Sequence, residues 1–177
     1  DMRLSDRLSH LTRWLNIDPG EKLSAIEADF SKKHLGLDDK AYGDLCAIKG
    51  KIIHCASDTS FAERNRERVM NTNVESLSSL LDFAADSRAE HLYYVSTAYA
   101  CGRCEGICME TPVTAESFHN VYEESKAQAE EVIRRSCEDS GVPLSILRPS
   151  IVYGHSKSGR ALKFNALYYC VRSISYI

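Results

Sequence analysis

Tyr122 and Lys126 stand four residues apart in NVYEESKAQAEEVIRRSCEDSG, residues 120–141. In a helix that spacing puts both side chains on one face, about one turn apart. A free phenol has a pKa of about 10, too high to exchange protons readily near neutrality. A neighbouring ammonium favours the phenolate, and lowering the phenol by about three units corresponds to about 4 kcal/mol. Thr97 closes the apolar run HLYYVST (91–97), where its hydroxyl can hold a carbonyl oxygen. Thr97, Tyr122 and Lys126 together make an acid–base set suited to carbonyl–alcohol chemistry. The commoner fate of each is plain: a Y-x3-K pair is usually a surface pair, and a threonine at this place usually just ends a strand.

A second pattern competes. Cys101, Cys104 and Cys108 fall as C-x2-C-x3-C. Zinc or an iron–sulfur cluster needs about four converging ligands, and no fourth is evident beyond His119, the nearest histidine in sequence. A Cys101–Cys104 redox pair would open a helix after a strand, whereas Gly102-Arg103 and Glu105-Gly106 read as loop. The trio is therefore expected to be incidental, with no metal site. The other histidines, at 10, 34, 54, 91 and 155, form no ligand motif.

The elements that position these residues follow from periodicity. Leu4, Leu8, Leu11 and Leu15 predict a helix near 5–16, broken by Asp18-Pro19-Gly20. LSAIEA (23–28), KIIHCA (51–56), HLYYVST (91–97) and PLSILRP (143–149) are predicted strands. Val74, Leu77, Leu81 and Ala84 mark a second helix. The third runs from Asn120 as its cap to Gly141 as its stop, with Val121, Ser125, Ala129, Val132 and Ile133 on one face. ERNRER (63–68) reads as a solvated helix face. Strands alternating with helices imply an α/β fold with a parallel, doubly wound sheet, whose ligand sits beyond the carboxyl ends of the strands.

Composition narrows the class. The 177 residues are 44% hydrophobic and 27% charged, with net charge −3. That suits one globular domain and no nucleic-acid partner. No apolar run approaches a membrane span, and no signal peptide opens the chain. Seven cysteines are an odd number in a chain this size, which suits free thiols in a cytoplasmic setting.

IIHCAS, NTNVESLSSLLDFA, YYVSTAYACG, YEESKAQAEEVI and LSILRPSIVYG, in this order and spacing, resemble the extended short-chain dehydrogenases/reductases. EADFSKKHLGL and LRPSIVYGHSKSGRALKFNALYY look like the thioester-reductase and fatty-acyl-CoA-reductase branch. The resemblance implies roles. Thr97, five before Gly102, matches the catalytic Ser/Thr, with Ser96 the neighbouring choice of register. Tyr122 matches the general acid/base, and Lys126 the lysine that also holds the cofactor ribose. Asp29 and Phe30 resemble the pair at the adenine. His54, Ala56 and Ser57 match the loop passing the cofactor, and Asn73 the helix asparagine supporting the site. Pro149, Ser150 and Ile151 match the segment near the nicotinamide.

The implied cofactor is NADP or NAD, with NADP favoured by the likeness alone. The implied partner is an acyl thioester on CoA or a carrier protein, reduced to aldehyde or alcohol. The family opens with a strand, a G-x-x-G-x-x-G turn, a helix and a second strand, and none of these is in this sequence. The expectation is an incomplete, N-terminally truncated Rossmann-like domain over 1–177, with the substrate region starting after about 155. Such a fragment is expected to be inactive alone. A nucleotide-sugar epimerase or dehydratase, and a cofactor-deficient non-catalytic homologue, are the alternatives.

Overall fold

The computed structural model describes residues 3–18, 20, 23–161 and 167–174. It divides into two units: residues 28–150, and the described residues of 1–27 with 151–177.

The larger unit is built on three parallel strands, β1 (Lys51–His54), β2 (His91–Val95) and β3 (Leu144–Leu147), in the order β1-β2-β3. Ile53 pairs with Tyr93, and Tyr94 with Ile146. Strand side chains alternate between faces. Leu92 and Tyr94 are therefore buried while His91, Tyr93 and Val95 are half-buried. Onto the buried face pack α4 (Leu77–Asp86) and α5 (Val121–Ser140), through Leu77, Leu80, Leu81, Ala84, Ala129, Ile133 and Cys137. Fully burying a leucine or isoleucine is worth about 1.5–3 kcal/mol, so Leu77, Leu92 and Ile133 dominate the docking of these helices. This is the parallel βα order of a Rossmann-like sheet, in three strands.

α5 begins where a capping box closes. The Asn120 side chain accepts from the Glu123 N–H at 3.0 Å, and Glu123 accepts from the Asn120 side-chain Nδ2 and from the His119 backbone N–H, one residue before the position a standard box would use. It ends where Gly141 takes φ +73° and returns its N–H to the Cys137 carbonyl at 2.9 Å. Its buried face includes Val121, Ser125, Ala129 and Ile133; Val132, expected there, is 38% exposed because the stripe instead drifts through Lys126 and Glu130.

The second helical stripe is interrupted. α3 (Arg66–Met70) runs into α4 through a π-helical turn at Asn71–Glu75. ERNRER is not simply solvated: Arg66 pairs with Glu124 of α5 at 2.9 Å, and Arg68 with Asp58 at 2.7 Å.

The predicted strand at 23–28 does not form; those residues carry no ladder. A strand exists only through a hydrogen-bonded neighbour, and none reaches this segment. A helix that the sequence reading missed, α2 (Asp39–Ala47), lies just beyond it. Asp38 caps it by accepting from Ala41 N–H at 2.8 Å, and the buried Tyr42 donates to Asp86 of α4 at 2.9 Å.

In the smaller unit, α1 (Leu4–Leu15) stops at Asn16, which adopts a left-handed conformation and donates to the Arg13 carbonyl at 3.1 Å. Pro19 of the expected breaker lies outside the described residues, as do 162–166 of the cofactor-end loop. α6 (Leu167–Ile174) supplies structure where the tail was ambiguous. Arg160 donates to the Trp14 carbonyl at 3.0 Å and lies over its ring. No helix among the described residues is long and apolar enough to cross a membrane.

Candidate active site at the carboxyl edge of the sheet

Parallel strands send their carboxyl ends to one edge. There the residues after β1, β2 and β3 meet the first turns of α5. Thr97, 5% exposed, follows β2 and accepts from Tyr99 N–H at 3.3 Å, which starts a short 3-10 turn at Ala98–Cys101. The strand's last carbonyl, Val95, accepts from Lys126 Nζ at 2.8 Å. The ammonium also sits over the Tyr94 ring, 4.3 Å from its centre. Ala98 N–H donates to the Pro149 carbonyl at 2.9 Å, tying the turn after β3 to the turn after β2.

Tyr122 and Thr97 interact side chain to side chain, so the two hydroxyls share one place. Burial raises the Tyr122 phenol, and the Thr97 contact opposes it. The expected lowering by Lys126 is not seen. The lysine directs its charge to the Val95 carbonyl rather than to the phenol, so Tyr122 is the un-ionised acid at neutral pH. Burial in turn pushes Lys126 down to about 8, against Glu130 and Cys55, which raise it. Ser96, the other register, is engaged elsewhere: its hydroxyl donates to Glu130.

Asn73 sits in the π turn, 3% exposed, and is fully used. Its carbonyl oxygen accepts from Asp58 N–H at 2.7 Å and from the Ser57 hydroxyl at 3.1 Å. Its amide donates to the Asp58 carbonyl and the Ser125 hydroxyl, both at 2.9 Å. Ser125 then donates to the Tyr122 carbonyl at 2.8 Å. One side chain thus joins the loop after β1 to the first turns of α5. That loop also carries Phe61, whose ring lies 5.6 Å from the Tyr122 ring.

His54 is buried between Phe30, edge-on at 5.7 Å, and Tyr94, stacked at 5.8 Å. Burial, and then the Lys126 charge, hold it at about 4, hence neutral. Asp29 accepts from the Ser31 N–H and hydroxyl and pairs with Lys32 at 3.1 Å, which keeps its carboxyl at about 2. Ala56 and Ser150 are exposed at the edge, while Ile151 belongs to the smaller unit.

The cysteine loop differs from expectation. Cys104 and Cys108 form a disulfide with Cα atoms 6.4 Å apart, within ordinary bridge reach. Free thiols were expected here; the bond is also not the Cys101–Cys104 pairing that the spacing offered, and Cys101 stays free, as do Cys46, Cys55 and Cys137. No cluster of three or more His, Cys, Asp or Glu suited to a metal occurs among the described residues. The loop is pinned at its base, where Arg103 N–H donates to the Ser117 carbonyl at 3.0 Å. A Cβ at Gly102 would come within 2.5 Å of that carbonyl oxygen, so only glycine fits.

Residues 1–176 match the NAD-binding family described as male sterility protein. The chain belongs to that family. This male-sterility-type domain is 30% identical over 139 residues to the hybrid PKS-NRPS synthetase pvhA of Talaromyces variabilis, covering 78% of this chain and 3% of that protein. It is 32% identical over 138 residues to the trichosetin synthetase PKS-NRPS1 of Gibberella fujikuroi, covering 77% of this chain and 3% of that protein. The terminal R domain from the myxalamid PKS-NRPS biosynthetic pathway superposes with a TM-score of 0.76 at 23% identity, over 89% of this chain and 42% of that one. WbmG of Bordetella bronchiseptica, solved with NAD, superposes with a TM-score of 0.68 at 20% identity, over 90% of this chain and 46% of that one. The domain therefore spans a small part of its curated relatives and under half of these solved chains, and the structural likenesses establish a shared Rossmann-like fold.

The cofactor of such a domain is a nicotinamide dinucleotide. The donor set fits its nicotinamide-ribose half: a buried ammonium with one proton on Val95 and two more to give, beside two paired hydroxyls. A pyrophosphate site of the glycine-turn kind has no counterpart in this sequence.

Proposed function

We propose that this domain serves an NAD(P)H-dependent reductase of acyl thioesters, with Thr97, Tyr122 and Lys126 as the working set. The observation that carries the reading is the pairing of Tyr122 with Thr97 at the carboxyl edge, with Lys126 buried one turn along α5. The relatives named PKS-NRPS synthetases, and the terminal R domain of such a pathway, favour a carrier-bound thioester over a nucleotide sugar.

The dinucleotide, when bound, supplies the hydride that the thioester carbonyl carbon accepts. Thr97 and Tyr122 hold the carbonyl oxygen between their hydroxyls. Tyr122 gives a proton, for which its burial-raised, un-ionised state is the right form. Loss of the thiol leaves an aldehyde. Lys126 holds the ribose with the donors that Val95 does not use. Asn73 keeps the loop after β1 against α5, so that Phe61 walls the Tyr122 ring. Asp29 and Phe30 face the adenine end; His54, Ala56, Ser57, Pro149 and Ser150 line the cofactor's path. The residues after about 155 begin the substrate side.

Tyr122→Phe keeps the ring and removes the proton. In the protein that carries this domain, turnover of an acyl thioester with NADPH or NADH should fall about 10²–10⁴-fold, with KM little changed. Wild-type turnover and an unaltered pH profile would remove the tyrosine from the mechanism.

A further inference from the structure

The reading above leaves one buried charge without a task. Glu130, 3% exposed, lies one turn beyond Lys126 on α5. Its carboxylate accepts from Arg148 through three contacts, at 2.6, 3.0 and 3.2 Å, and from the Ser96 hydroxyl. Arg148 also donates to the Thr111 carbonyl at 2.9 Å. The end of β2 next to Thr97 and the end of β3 therefore meet on Glu130, and Arg148 carries the link on to the cysteine loop. A pair this buried is seldom a net gain in stability over apolar packing, so its value is sought in what it holds.

We propose that Glu130 is a positioning residue that fixes the charge of Lys126: clamped by Arg148 and Ser96, its carboxylate is the buried anion that keeps the lysine protonated at the carboxyl edge. Residues four apart on a helix are neighbours, and the groups around Lys126 are otherwise poor counter-ions. From β1 comes His54, neutral; from the turn after it, Cys55; from β2, the Tyr94 ring and the Val95 carbonyl. Burial works against the ammonium, and Glu130 is the largest influence working for it. Arg148 holds both carboxylate oxygens through Nε and Nη2, which fixes where that negative charge sits one turn from the lysine.

Only the consequence for turnover rests on the proposed reductase; the charge itself is measured without cofactor. The protein is labelled with [13Cε]lysine, Lys126 is assigned by its loss in Lys126→Arg, and its titration is followed by NMR. Glu130→Gln should move the midpoint to lower pH by about one unit. Glu130→Asp, which keeps the charge, should stay above Glu130→Gln. Arg148→Gln breaks the same ion pair but leaves the carboxylate, so its midpoint should hold or rise. A purely structural pair would move both variants alike. An unchanged midpoint in Glu130→Gln, or a fall in Arg148→Gln equal to that in Glu130→Gln, overturns the proposal. Where Glu130→Gln does not fold, Arg148→Gln decides: a held or raised midpoint supports, a lowered one overturns. If turnover is present, the high-pH limb of kcat should shift with the NMR midpoint. A Tyr122→Phe enzyme that stays active would instead sink the reductase reading and leave the titration standing.

Discussion

Acidification should loosen the larger unit through one residue, His54. In the folded chain it titrates at about 4, against an ordinary 6.5, because burial and then the Lys126 charge resist a second cation. Between those two values the unfolded chain binds a proton that the folded chain refuses. Stability therefore falls as the pH drops from 6.5 to about 4, and the loss is complete below that. At about 1.4 kcal/mol per pH unit the full penalty is about 3 kcal/mol, and about 2–3 at pH 4.5. His54→Phe retains a ring between Phe30 and Tyr94 but cannot titrate. Urea midpoints of wild type and variant, compared at pH 7 and pH 4.5, isolate the histidine from the carboxylates both share. Wild type should lose about 2–3 kcal/mol more than His54→Phe. A difference below about 0.5 kcal/mol, or a His54 ring proton titrating near 6.5 by NMR, would refute the buried neutral imidazole.

Asn73→Leu removes four hydrogen bonds and strands the Asp58 N–H. A buried unsatisfied group costs about 1–3 kcal/mol. Hydrogen exchange of the 56–62 loop should therefore speed up by about 10-fold or more, while β2 and β3 stay protected; an unchanged loop would mean the asparagine does not hold it. Alkylation before and after reduction should find Cys104 and Cys108 reactive only after reduction and Cys55 reactive throughout, given its exposure. Cys104→Ser with Cys108→Ser should leave turnover unchanged, and loss of turnover would place the loop in the mechanism.

What was legible in the sequence was local. α5 announced both its ends, since Asn120 and Gly141 act within a few residues of themselves. β2 was readable because apolar β-formers there alternate between two unlike faces. Long-range partners were not legible. Nothing in LSAIEA says whether a neighbour exists to complete its ladder. α2 hid because its few apolar positions, Ala41, Tyr42 and Leu45, make a weak stripe. The spacing of Tyr122 and Lys126 correctly placed both near the edge, but not the direction of the ammonium. That direction depends on the Val95 carbonyl, a backbone atom far off in the chain. The network at Glu130 had a readable hint, an acid four beyond the lysine, but its partner Arg148 is fixed only by the fold.

The π turn at Asn71–Glu75 sets two heredities side by side in one helix. Such a turn holds one residue more than its α-helical equivalent. Excising that residue would leave Leu77, Leu81 and Ala84 in their former phase against Leu92 and Tyr94 of the sheet. The same excision withdraws Asn73 from the Ser57-Asp58 loop and from Ser125. Folding and loop order are thus inherited through different residues of a single element. A descendant can shed the second without any trace in its sheet or its likeness to relatives, and lose the order of that loop while its fold still looks whole.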